Sequence, residues 1–136
     1  MDYSMNQTAW AHLPNAKHID RILADLKKNS DKWNAVWDAA RGAAWDAARN
    51  AASDAARNAT RSAAWNAAWD AASDAAWTAA WTAAWDAILA LIAYDDCAYL
   101  LDEKPEYVQM LGLLGNQAAV LLYPACLALQ KEAVCL

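Results

Sequence analysis

Residues 33–88 read as fourteen consecutive tetrads. The first position holds Trp33, Trp37, Arg41, Trp45, Arg49, Ser53, Arg57, Arg61, Trp65, Trp69, Ser73, Trp77, Trp81 and Trp85. The second is small and polar apart from Gly42. The third is always Ala, and the fourth is Ala except at Val36, Thr60 and Ile88. Alanine has the highest helix propensity, so half of every tetrad favours helix. A strand is excluded, because alternation would put every Trp on one face and Ala on both.

Four residues turn a helix by about 400°, so each tetrad advances the Trp/Arg stripe by about 40°. The stripe winds right-handed, opposite to a heptad seam. One unbroken helix would be about 84 Å long and would present Trp in every direction. The repeat is therefore expected to be cut into helices of roughly 16–20 residues. Candidate breaks are Gly42, Ser53-Asp54, residues 58–60 and Ser73-Asp74, the two Ser-Asp pairs being possible helix caps. Alanine at two adjacent positions leaves a smooth face, so helices can approach closely with Trp filling the sides.

The flanks follow ordinary patterns. Residues 16–29 predict an amphipathic helix with Ile19, Ile22, Leu23 and Leu26 on one face. Residues 89–136 predict apolar C-terminal helices, the first continuing from the repeat to Asp102. Pro105 suits the first turn of the next helix. Residues 107–130 carry no charge, but Gly112, Gly115, Asn116 and Pro124 argue against a membrane span. The Gly115–Asn116 step predicts a hairpin of two short buried helices, ending near Ala118 and Leu129. The expected architecture is a compact, all-α, Ala-rich bundle forming one domain over 1–136.

Composition sharpens this picture. Phe is absent, and nine Trp and five Tyr supply the bulk that alanine lacks. A net charge of −5 disfavours general nucleic-acid binding. Cys97, Cys126 and Cys135 are odd in number and not spaced as a redox motif, which fits a reducing compartment. Residues 1–10 lack a basic segment followed by an apolar run, so a cytoplasmic location is expected.

Candidate chemistry is sparse. His12 and His18 have no companion ligand cluster, so no metal is expected. No nucleophile elbow or phosphate loop occurs, so neither catalysis nor a cofactor is expected. Asp95 and Asp96 interrupt apolar sequence, and about 100° separates them on a helix, so one of the pair should face inward towards a partner such as a repeat Arg. Arg41, Arg49, Arg57 and Arg61 stand where Trp stands in other tetrads. Guanidinium groups grip phosphates and Trp rings stack on bases, which makes this group, with Trp45, Trp65, Asp95 and Asp96, the candidate ligand site, the two acids having a structural polar contact as their plainer role. The plainer reading is a solvated face with i, i+3 pairs Asp38–Arg41, Asp46–Arg49 and Asp54–Arg57. On either reading, replacing Arg49, Arg57 and Arg61 with Gln should leave the fold intact.

The run Ala43-Ala44-Trp45-Asp46-Ala47-Ala48-Arg49 resembles tetrad-repeat proteins of bacteria and phages. Its alanine–arginine content is similar to the Imm-5-like immunity proteins. Segments 13–20 and 92–97 look like those that accompany such repeats. The resemblance implies a role in conflict systems and binding over catalysis. The first functional expectation is sequestration of a small anionic, nucleotide-type signal, as in phage counter-defence. The alternative is an immunity or inhibitor protein that binds a partner protein, and a further one is a self-assembling structural element. A homo-oligomer, most simply a symmetric dimer, is expected because the winding stripe would leave Trp uncovered.

Overall fold

The computed structural model describes residues 9–40, 45–57, 61–76 and 78–134. Within them the chain is a compact bundle of seven α-helices and one 3-10 turn, with no strand. The helices are α1 (Ala16–Lys28), α2 (Ser30–Ala40), α3 (Trp45–Ala56), α4 (Ser62–Ala75), α5 (Thr78–Ala93), α6 (Pro105–Leu113) and α7 (Gln117–Val134). The 3-10 turn, Ala98–Asp102, lies between α5 and α6.

The buried seam of the repeat is its fourth position. Val36, Ala48, Ala52, Ala56, Ala64, Ala68, Ala72, Ala76, Ala80, Ala84 and Ile88 are all buried. The first-position Trp stands one residue, about 100°, to the side and closes the groove beside this seam. Helices α2 to α5 hold 11, 12, 14 and 16 residues, mostly shorter than expected. Over three or four tetrads the seam drifts by only about 80–120°, which one or two neighbouring helices can cover.

One expected break, Ser53-Asp54, is corrected, and neither Ser-Asp pair caps a helix start. Ser53-Asp54 lies inside α3 and Ser73-Asp74 in the last turn of α4, so neither pair begins a helix. Alanine on both sides carries α3 through Ser53-Asp54, whereas α4 ends at Ala75, directly after Ser73-Asp74; Asp54 and Asp74 are exposed. The expected breaks at Gly42 and 58–60 fall outside the described residues.

Helix α5 is the axis of the bundle and packs against α1, α2, α3, α4 and α7. Residues 83–92 are buried without interruption, so the helix is enclosed on every side. It ends at Ala93 rather than running to Asp102. Its last carbonyls, which no helical N–H can reach, take donors from distant parts of the chain. The Asn15 amide donates to the carbonyls of Leu91 (3.0 Å) and Tyr94 (2.8 Å). Arg61 donates to the carbonyl of Ile92 (2.6 Å) and places positive charge at the negative end of the helix.

At the N-terminal side, Ile19, Ile22, Leu23 and Leu26 of α1 are buried as the pattern requires. At the C-terminal side, Pro105 opens α6. Gly115, with φ +102°, closes it: Gly115 N–H bonds to the Gly112 carbonyl and Asn116 N–H to that of Leu111. The Asn116 side chain then accepts the Ala119 N–H and starts α7. The break is where the sequence predicts it, but its flanks differ. Helix α7 runs through Pro124 to Val134, and α6 buries only Val108 and Gly112 instead of lying in the core. No helix among the described residues is long and apolar enough to cross a membrane.

Candidate functional site

The described candidate residues fall on α3 and α4, in the turns at their facing ends, and in the turn after α5, and the structure draws most of them into the fold. Each described repeat arginine reaches across to another element instead of pairing along its own helix. Arg49 of α3 turns to Asp86 of α5, with Nε 3.3 Å from Oδ1, an ion pair without hydrogen-bond alignment. The Trp45 indole N–H donates to the other carboxylate oxygen at 2.5 Å, and the Arg49 guanidinium lies 5.2 Å from the Trp45 ring centre. The i, i+3 pairs Asp46–Arg49 and Asp54–Arg57 are thus replaced by longer-range contacts. Arg41 and the Asp38 side chain lie outside the described residues.

Asp86 is the titratable residue that the sequence reading missed. It is completely buried, and loss of hydration pushes its carboxyl up to about 7. The Trp45 hydrogen bond and the Arg49 charge act in the opposite direction. Asp86 is a second-position acid like Asp46, Asp54, Asp70 and Asp74, all of which are exposed. The difference is its place on the enclosed axis helix. The apolar run 87–92 that follows it was the available signal.

Four tryptophans from α4 and α5 form one aromatic cluster. Trp65 and Trp69 stack at 5.3 Å, while Trp69 meets Trp81 edge to face at 4.6 Å. Trp65 and Trp69 both meet Trp85 edge to face. Arg57, exposed at the end of α3, covers the Trp65 ring at 4.5 Å, a cation–π contact. The indole N–H groups of Trp65 and Trp81 are buried with no hydrogen-bond acceptor. This gives a paired prediction. Trp45→Phe removes a bond to a buried carboxylate, whereas Trp81→Phe removes an N–H that has no acceptor. Trp45→Phe is expected to cost about 1–3 kcal/mol more in urea unfolding. Equal losses would show that the Asp86 contact contributes nothing.

Asp95 and Asp96 sit in a turn after α5, and both are exposed, which corrects the inward-facing acid. The expected repeat-arginine partner is present: Arg61 binds Asp95 through both guanidinium ends, at 2.7 and 3.1 Å. This holds the Asp95 carboxyl below the usual carboxylate range. Asp96 lies outside that pair. Because Arg49 and Arg61 fasten α5 at two places, replacing Arg49, Arg57 and Arg61 with Gln should lower the midpoint of urea unfolding even where the fold persists.

Other nucleophiles are quiet. Burial pushes the Cys97 thiol up to about 12 and the Cys126 thiol up to about 11, so both stay protonated at neutral pH. Among the described residues no three His, Cys, Asp or Glu side chains group as a metal site.

A second candidate surface appears on α6. Tyr107, Met110, Leu113 and Leu114 are exposed, the two leucines at 84% and 76%. Residues 107, 110 and 114 follow helical spacing, so they lie along one side. Val108 and Gly112 face α7, where a Cβ on Gly112 would stand 3.2 Å from the Val120 side chain. Close approach on the inner side thus leaves the outer apolar side open. No polar motif marks this surface in the sequence, which is why an uncharged run read as core. No protein-family model matches the chain, and no curated protein or solved structure matches it.

Proposed function

We propose that this protein is a non-enzymatic binding module that docks another protein through the outer side of α6. The observation that carries the reading is the set of large apolar side chains, Met110, Leu113 and Leu114 with Tyr107, exposed together on one helix. An immunity or inhibitor role is the form of protein binding that the resemblance of the repeat implies. The repeat helices then serve as the scaffold, with Arg49 and Arg61 as fasteners and not as ligand contacts. The described tryptophans are buried or half-buried, which weakens the motive for a dimer through the Trp stripe.

Affinity purification from the source cells tests the reading, with a Leu113→Asp/Leu114→Asp variant as control. A stoichiometric protein retained by the wild type and absent from the variant supports it. A partner held equally by both excludes α6 as the contact.

A second reading, sequestration of a nucleotide-type anion, draws on Arg57, whose exposed guanidinium has no carboxylate partner among the described residues. Calorimetry against cyclic and linear nucleotides, with Arg57→Gln alongside, tests it. Binding that survives the substitution, or no binding by folded protein, would exclude this site.

A further inference from the structure

Helix α3 is anchored differently from its neighbours. Its buried residues, Ala48, Ala52 and Ala56, are all alanines. Helix α1 buries four Ile and Leu side chains, and α2 buries Trp33 and Val36. The seam of α4 is also alanine, but α4 adds Trp65 and Trp69 to the aromatic cluster on α5. Little apolar area therefore leaves water when α3 docks on α5 and α7. Its large side chains, Trp45 and Arg49, are half-exposed, and both reach Asp86. Trp45 also meets the edge of the Trp37 ring on α2 at 5.2 Å.

The site suits a neutral Asp86 better than a charged one. Trp45 serves one carboxylate oxygen, and the other is buried without a hydrogen bond. Arg49 is the charged group that acts on it, and its guanidinium is shared with water. Charges on the other helices around α5 turn elsewhere. Asp25 of α1 pairs with Lys32 of α2, Asp70 and Asp74 of α4 are exposed, and α7 has no charged residue over 117–130. An ionised carboxylate gathers several donors in water, so it gains by being hydrated. Both side chains on Asp86 come from α3, so the departure of α3 lets water in. A free helix of 12 residues is marginal in water and melts once it leaves the bundle. We propose that α3 is a latch closed on Asp86: when that carboxyl ionises, α3 undocks from α5 and melts by itself, while the other described helices stay folded.

Amide hydrogen exchange on the full chain, corrected for intrinsic exchange rates, tests the latch. At pH 7 the amides of α3 should exchange about tenfold or more faster than those of α5. Low urea should speed the α5 amides and leave the α3 amides almost unchanged, because a local opening exposes little surface. From pH 5 to pH 7 the protection of α3 should fall about tenfold or more in the wild type. In Asp86→Asn, which keeps an acceptor for the Trp45 N–H and carries no charge, it should change by less than about twofold.

Equal protection and equal urea response in α3 and α5 would overturn the proposal, because α3 would then leave only when the whole fold does. The same fall with pH in wild type and Asp86→Asn would also overturn it, since Asp86 would not be the catch. Should the variant not fold, the wild type alone decides. An α3 profile that is flat between pH 5 and pH 7 overturns the latch, and a fall that low urea leaves unchanged supports it.

Discussion

Between about pH 4 and pH 7 the folded state should lose roughly 4 kcal/mol of stability through one side chain, Asp86. The sign follows from its raised carboxyl, pushed up to about 7 by burial. The folded state holds the proton more tightly than the unfolded chain, whose aspartates titrate near about 4. The contribution is therefore complete below that pH and is lost as the pH rises through about 7. Asp95 acts with the opposite sign: its lowered carboxyl adds stability above the unfolded value and loses it as the pH falls. Asp95 is exposed, so its share is screened. Comparison with Asp86→Asn isolates the buried site. From pH 5 to pH 8 the wild type should lose roughly 2–3 kcal/mol relative to that variant in urea unfolding. Parallel profiles would mean that Asp86 titrates as an ordinary surface acid.

Asn15→Ala should cost roughly 2–4 kcal/mol, far more than its position ahead of a helix suggests. The side chain is 4% exposed and caps the far end of α5, not the start of α1, for which it makes no side-chain bond. Removing it takes the amide donor from the Leu91 carbonyl and leaves the Tyr94 carbonyl with only the weak Cys97 thiol at 3.4 Å, where water is largely excluded, at about 1–3 kcal/mol for each unsatisfied group. Asn50→Ala, at an exposed site on α3, is the control and should stay within about 0.5 kcal/mol of wild type. Equal midpoints for the two variants would show that the α5 terminus needs no cap from Asn15.

These two residues show where sequence reasoning stops. Helix content, the buried side of α1, the Pro105 start and the Gly115 break are local matters of propensity, period and turn geometry, and all were legible. Where α5 ends, at Ala93, its last carbonyls are satisfied by Asn15 and Arg61, 76 and 31 residues from their acceptors. No window along the chain contains that information. Asp86 was hidden for a related reason. It shares its tetrad position with Asp46 and Asp70, and only the packing of five helices around α5 separates a buried acid from solvated ones. The arginines were legible as a group but not in their roles, since the nearest acid in sequence is not the nearest in space. The α6 surface was read as core because apolar residues without period or charge do not say which side is covered.

The claim that α6 is the contact surface is tested most directly by hydrogen–deuterium exchange on the full chain, alone and with the protein that co-purifies with it. Exchange should slow on binding over residues 105–116 and stay unchanged over 45–57 and 61–69. Protection confined to 45–69, with 105–116 exchanging as in the free protein, would contradict the account and return the binding site to the Arg/Trp side of the bundle.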